Sequence, residues 1–284
     1  MGADGFDLTF PRVPLTGGER TIEELAQPDE RSIGYRLDAE SLQSPYLELE
    51  KRLPEAVPQK LRERIVVARQ LGTYAFFCYE FHAVSLFWSV SCIEMALKFK
   101  FEETHPGPIK LKRTVKGVEE MCEVPVTEVE DRIRSRWRIP EMNNFDYSFK
   151  ALLTWAFRQA ILPEDIEVPV QEIVNGFNNR FAPKVFPARA QKDGLLGASP
   201  SWDQIQDCWK GLSESPRKNC QSKASTVLIE ELPRFRNLMA HPRHFNLVTP
   251  PRSPLSAYQL LIDIVSRLWP SALGLDASKT AKAM

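Results

Sequence analysis

Histidine is scarce in this chain, with four among 284 residues, and net charge is absent: 37 lysines and arginines balance 37 aspartates and glutamates. That balance excludes a protein that coats nucleic acid through bulk electrostatics, so any polyanion contact has to come from a local cluster. The five cysteines (Cys78, Cys92, Cys122, Cys208, Cys220) include no CxxC pair and are odd in number. A disulfide framework is therefore not expected, no zinc-ligand spacing is present, and the usage fits a reducing cytosol. The opening MGADGFDLTFPRVP lacks a basic region followed by a long apolar run, so no signal peptide is expected. Phe6 stands where a myristoylation signal wants Ser or Thr.

Proline is unevenly spread. Residues 1–58 carry Pro11, Pro14, Pro28, Pro45, Pro54 and Pro58, which predicts an irregular arm with one or two short helices, such as TIEELAQ capped by Thr21 with Glu24 three residues on. Residues 59–104 have no proline and give the strongest helical signal, with Gly72 as the place where the run bends or splits. From Tyr74 to Leu97 this run is apolar on nearly every face, yet Glu80, His82 and Glu94 interrupt it. A carboxylate near a bilayer centre costs about 2.5–3.5 kcal/mol on insertion scales. A helix buried on all sides, not a membrane span, is the expectation.

KLKRTVK (110–116) reads as a surface charge run and EVEDRIRSRWR (128–138) as a solvated helix of alternating charge. DYSFKALLTWAFRQAIL (146–162) has helical apolar spacing, with Pro163 as its stop. Residues 168–222 turn irregular and read as an insertion. Leu228, Leu232, Phe235 and Met239 then form a helical stripe, perturbed by Pro233 into two helices or one kinked helix. SPLSAYQLLIDIVSRLW closes the fold as a helix with Ser253 as N-cap and Pro254 at N1. The expectation is an all-α chain: an arm at 1–58, a helical domain at 59–270 with the 168–222 insertion, and a frayed tail at 271–284.

Against this background RFRNLMAHP (234–242) stands out. The Arg236-to-His241 spacing alone carries little, since roughly one Arg-x(4–6)-His match arises by chance at this composition. Its context carries more. Pro242 disfavours the α region for His241, so the helix is expected to end there and project the imidazole near a negative dipole end. Arg236 lies beside the apolar stripe, and Asn237 offers a neutral donor and acceptor to orient its neighbours. A fixed cation with a titratable imidazole suits RNA cleavage by the ribose 2′-hydroxyl, histidine moving a proton and arginine steadying the phosphorane. No metal or other cofactor is required for such a reaction.

The segment Arg236-Asn237-Leu238-Met239-Ala240-His241-Pro242 resembles the signature of the HEPN superfamily, R-x(4–6)-H with a polar residue after the arginine. SCIEMALKFKF (91–101) is similar to that family's early helix, and FKALLTWAFRQAILPEDIEV (149–168) to its helix before the motif. The resemblance implies an all-helical bundle that homodimerises into a composite cleft and cuts RNA without metal to 2′,3′-cyclic phosphate ends, often as a toxin or antiviral-defence effector. It makes Arg236 and His241 catalytic and Asn237 supporting. It assigns an early-helix carboxylate to the motif, Glu94 first and Glu80 second. Arg243 stands where members silenced by adenylylation carry a tyrosine, so a nucleotidyltransferase antitoxin is not implied.

Arg234, Arg243 and His244 crowd the motif as phosphate-binding candidates, with a solvated basic patch as the competing reading. His82 reads as a satisfied core histidine, His105 as a loop residue, and YAFFCYEF as core or dimer interface, not a base-stacking platform. The competing overall reading is a non-catalytic helical binding or assembly module that keeps the fold. Otherwise the expectation is a cytoplasmic, membrane-free homodimeric ribonuclease with RNA as substrate and a regulatory or activator protein as a further partner.

Overall fold

The computed structural model describes residue 23 and residues 26–142, 145–164, 166–170, 224–240 and 251–270. Thr21, Glu24, His241, Arg243, His244, nearly all of the expected insertion and the expected tail lie outside the described residues. Among the described residues, eight α-helices and one β-hairpin make a predominantly helical protein, as expected. In chain order the helices are α1 (Glu30–Gly34), α2 (Ala39–Glu50), α3 (Gln59–Tyr74), α4 (Phe81–Thr104), α5 (Val129–Arg134), α6 (Phe149–Arg158), α7 (Ala224–Ala240) and α8 (Arg252–Leu268).

Helix α4 is the axis. Its buried residues include Ser85, Leu86, Ser89, Val90, Cys92, Ile93, Ala96, Leu97 and Phe101, which make one broad face. Val84, Phe87, Trp88, Ser91 and Met95 on the other side are exposed or half-buried, so the expected burial on all sides is not found among the described residues. Helices α3 and α8 flank it most extensively, and α6 and α7 also pack on it. The α4 serines keep this enclosure free of orphaned hydroxyls in two places. Ser85 Oγ donates to the Ala68 carbonyl at 2.9 Å, and Ser89 Oγ to the Ser85 carbonyl at 2.9 Å. Among the described residues, no helix is long and apolar enough to cross a membrane.

The proline-free run breaks at residues 75–80 and not at Gly72. Helix α3 runs through Gly72 to Tyr74, and the glycine serves a different purpose. The Tyr46 ring lies directly over it, where a Cβ would collide with the ring. Tyr46 comes from α2, inside the stretch read as an arm, and it is 2% exposed. Its ring meets Tyr258 of α8 edge-on at 4.9 Å. Helix α2 is thus a 12-residue element with Pro45 inside it, longer than the proline count predicts. An interior proline costs about 3 kcal/mol or more, and burial of Tyr46 and Leu42 against the bundle outweighs it. The Asp38–Ser41 capping box holds its start, Ser41 N–H donating to Asp38 Oδ1 at 2.7 Å.

Of the two alternatives at Pro233, the structure has one helix, α7, with the proline inside it. Two further boundaries differ from the sequence expectation. Helix α6 ends at Arg158, five residues before Pro163, in a Schellman turn: Ala160 takes φ +53°, Ile161 N–H donates to the Ala156 carbonyl at 3.0 Å, and Ala160 N–H to the Phe157 carbonyl at 3.1 Å. Helix α8 starts at Arg252 after Pro251, so Ser253 sits in the first turn and not at the N-cap. The largest addition is the hairpin. β1 (Ile109–Val115) pairs antiparallel with β2 (Val118–Val124), so KLKRTVK is strand and turn, with its lysines on the surface as expected. Lys116 (φ +50°) and Gly117 (φ +81°) make the two-residue connection, with left-handed φ at both positions as a type I′ turn demands.

His82 lies in the core, 1% exposed, edge-on to the Tyr79 ring at 4.9 Å, but its two ring nitrogens have no hydrogen-bond partner among the described residues. Burial, reinforced by the nearby Arg31 cation, lowers its pKa from 6.5 to about 4.

Two consequences can be measured. Replacing Gly72→Ala drives a methyl into the Tyr46 ring and should cost about 1–3 kcal/mol in urea unfolding, whereas a change within error would mean that Tyr46 moves aside freely. His82 links stability to pH. Between pH 6.5 and about 4 the unfolded chain takes a proton that the folded chain refuses. Its contribution is therefore full above pH 6.5 and declines on acidification to pH 4, by roughly 2–3 kcal/mol. A His82→Phe variant should have a flatter stability profile over that window, and an unchanged slope would show that His82 is not the titrating group.

Candidate functional site: the Glu94–Arg236 pair

Helix α7 carries its apolar stripe as expected, with Leu228 and Leu232 fully buried and Phe235 8% exposed. Arg236 follows Phe235 at the border of that stripe, so its stem is partly covered while the guanidinium reaches across to α4. There Arg236 Nη2 lies 2.9 Å from Glu94 Oε2. Arg236 Nη1 donates to Asn237 Oδ1 at 3.0 Å, so the amide beside the arginine helps fix the guanidinium plane. Arg236 Nε is buried and has no hydrogen-bond partner among the described residues. The Glu94 side chain is 15% exposed and that of Arg236 34%, which places the pair at the edge of the core.

Glu94 needs these cations. It is the one Asp, Glu, Lys or Arg in the apolar stretch 81–97, and a carboxylate drawn into a low-dielectric surface is costly unless paired. Lys98, one turn further along α4, adds a second cation at 3.8 Å from Glu94 Oε1. Lys98 also donates to Glu130 Oε2 of α5 at 2.8 Å. Arg134 completes the row, donating to Glu130 Oε1 at 2.6 Å. Charges of alternating sign therefore run from α7 across α4 to α5, in the order Arg236, Glu94, Lys98, Glu130, Arg134.

The sequence candidates separate clearly on this geometry. Arg236, Asn237 and Glu94 are brought together. Glu80 is not, because Arg31 of α1 holds it at 2.7 Å at the opposite end of α4. Arg31 also stacks over Tyr79, with 4.7 Å from Cζ to the ring centroid. Arg234 lies two residues from Arg236, a spacing at which helix side chains do not face each other, and it approaches Glu231 at 3.6 Å instead. His105 is no idle loop residue. It caps the end of α4, its ring stacked on Phe101 at 4.2 Å and its Nδ1 2.8 Å from the Phe101 carbonyl. Sequence reasoning missed Lys98 and Glu130. The i, i+4 spacing of Glu94 and Lys98 was a visible signal, whereas nothing in the sequence announced the approach of Glu130.

Chemically, this arrangement holds a guanidinium in one plane near a helix end, with Nη1 and Nη2 each engaged once, Nε buried, and one further hydrogen on each Nη to offer an oxyanion. Comparison of the chain with protein-family models, curated proteins and solved structures finds no match.

A double-mutant cycle tests the pair directly. Glu94→Gln and Arg236→Gln should show a coupling of about 1–2 kcal/mol in chemical denaturation, the range for a charged, partly covered hydrogen bond. Additive effects would mean that the two side chains do not meet in solution.

Proposed function

We propose that this chain is a metal-independent endoribonuclease of the HEPN type, working as a cytoplasmic homodimer in a toxin or antiviral-defence role. The observation that carries the reading is the Glu94–Arg236–Asn237 arrangement: the arginine of the R-x(4–6)-H sequence is oriented by an early-helix carboxylate and by its polar neighbour. In the reaction the 2′-oxygen attacks the adjacent phosphorus, giving up its proton to a base, while the bond to the 5′-oxygen breaks and that oxygen gains a proton. His241 is the acid or base in this scheme. Arg236 donates to the phosphoryl oxygens as charge builds on them, and Glu94 keeps its guanidinium from swinging into solvent. The products are a 2′,3′-cyclic phosphate and a 5′-hydroxyl. Arg234, Arg243 and His244 serve as phosphate contacts beside the motif, and a regulatory protein supplies or withholds the substrate.

One observation favours a second reading. A carboxylate 2.9 Å from Arg236 neutralises it as an interhelical tie between α4 and α7, which is what a non-catalytic binding or assembly module would require. The two readings part on one assay. Under the ribonuclease reading, purified protein in EDTA cuts single-stranded RNA to cyclic phosphate ends, and Arg236→Ala and His241→Ala each lower the rate by about 100-fold or more. Cutting that survives both substitutions, or a folded wild type inert on RNA with every cellular partner supplied, would leave the assembly module standing.

A further inference from the structure

The basic stretch that connects α5 to the segment beside the hairpin breaks one local rule. Residues 132–138 read RIRSRWR, four arginines with no acidic residue among them. Arg134 is held by Glu130, with Asp131 3.9 Å away. Arg132, Arg136 and Arg138 are exposed and make no ion pair among the described residues.

Arg136 adopts φ +68°, the left-handed position of a Schellman turn that ends α5: Arg136 N–H donates to the Ile133 carbonyl at 3.0 Å and Trp137 N–H to the Arg132 carbonyl at 3.1 Å. The broken rule is electrostatic. Arg138 N–H donates to the Lys112 carbonyl and Lys112 N–H to the Arg138 carbonyl, both at 2.8 Å. Two residues that exchange both bonds stand directly opposite, with their side chains on one face. Like charges so placed repel, and Glu119, at 3.9 Å from the Lys112 ammonium, compensates only weakly. On the other face Trp137 is 6% exposed beneath Arg113, whose Cζ is 4.6 Å from its ring centroid. That anchor fixes the turn and pushes Arg136 and Arg138 outward.

A segment that keeps an arginine directly opposite a lysine loses stability that a glutamate there would restore. Local rules of this kind are broken where side chains serve a ligand. Guanidinium groups with open forks match phosphate oxygens, and in a chain of zero net charge this cluster can concentrate positive potential on one surface. Its position adds to the case. Glu130, on the helix where the stretch begins, connects through Lys98 and Glu94 to Arg236 by distances of 2.8, 3.8 and 2.9 Å.

We propose that Arg132, Arg136 and Arg138 with Lys112 form a docking surface for the sugar-phosphate backbone of single-stranded RNA, leading the strand toward Arg236. The assignment rests on the ribonuclease reading for its substrate class, but binding and cutting are measured separately. The probe is a fluorescein-labelled 2′-O-methyl RNA, which cannot be cut by 2′-attack, titrated in anisotropy with the full chain at several salt concentrations.

Arg138→Glu and Arg136→Gly should each weaken binding, about tenfold for the charge reversal at low salt. Removing one arginine–phosphate pair should lower the slope of log affinity against log salt by about 0.7. Arg138→Glu should also melt at or above the wild-type temperature, a result that a merely structural role for this arginine forbids. Lys60→Glu on α3 changes the total charge equally and should bind like wild type. Unchanged affinity in both arginine variants, a wild type that does not bind the probe, or an equal weakening in Lys60→Glu would overturn the surface. Weakened binding by these variants of a protein that cuts no RNA would leave the surface in place and remove the nuclease, whereas normal cutting by Arg138→Glu with normal binding would do the reverse.

Discussion

A helix with no polar face must bury as much of its circumference as its neighbours can reach, and that requirement organises this protein. Over Phe81–Leu97 one broad face of helix α4 is buried, while Val84, Phe87, Trp88 and Met95 on the other side are exposed or half-buried. Helices α3 and α8 supply most of the wall, α6 and α7 the remainder. Helix α2 then fastens α3 to α8 from outside, through the Tyr46 ring over Gly72 and against Tyr258. The Arg52–Asp263 ion pair ties the end of α2 to α8. Helix α2, inside the stretch read as an arm, could not be cut away without opening this enclosure.

The same requirement explains why the Arg236 guanidinium sits where it does. A lone carboxylate on an enclosed helix must find a cation or remain neutral at a cost of pKa and hydrogen bonding. Glu94 finds Arg236 from α7 and Lys98 from its own helix. The arginine is thereby held at the boundary of the core, at the exposed end of α7, by a physical need that exists whether or not RNA ever binds. An oriented guanidinium is what phosphoryl chemistry needs, and a buried ion pair is what the bundle needs. One pair of side chains meets both demands, so its presence alone does not decide between them.

Much of this was legible in the residues, and the failures have a common cause. The stripes of α7 and α8 are long-period signals summed over many positions, and they held, whereas burial of α4 on all sides did not. Glu94 was named as the early-helix carboxylate that the resemblance implies, and an ion pair with Arg31 removed Glu80 from the same contest. Single-residue punctuation misled. Pro45 lies inside a helix, α3 runs on through Gly72, and α6 ends at Arg158, well before Pro163. At each position tertiary packing outweighed a local preference of about 1–3 kcal/mol. The hairpin escaped notice because its alternation is clear only at Ile109 and Leu111, and because Lys116-Gly117 is a weaker turn signal than Asn-Gly or Asp-Gly. His241 is a sequence feature alone, since it lies outside the described residues.

The charges divide into two populations, and the division bears on function more than their total does. Arg31, Arg52, Lys98, Arg134, Lys150 and Arg236 each face a carboxylate from a neighbouring turn or element. Their placement follows from the stability of the folded chain. Arg132, Arg136 and Arg138 face none among the described residues, and Arg138 stands directly opposite a like charge, Lys112. A chain of zero net charge has no long-range field to draw in a polyanion, so an unneutralised local cluster is the physical means left to it.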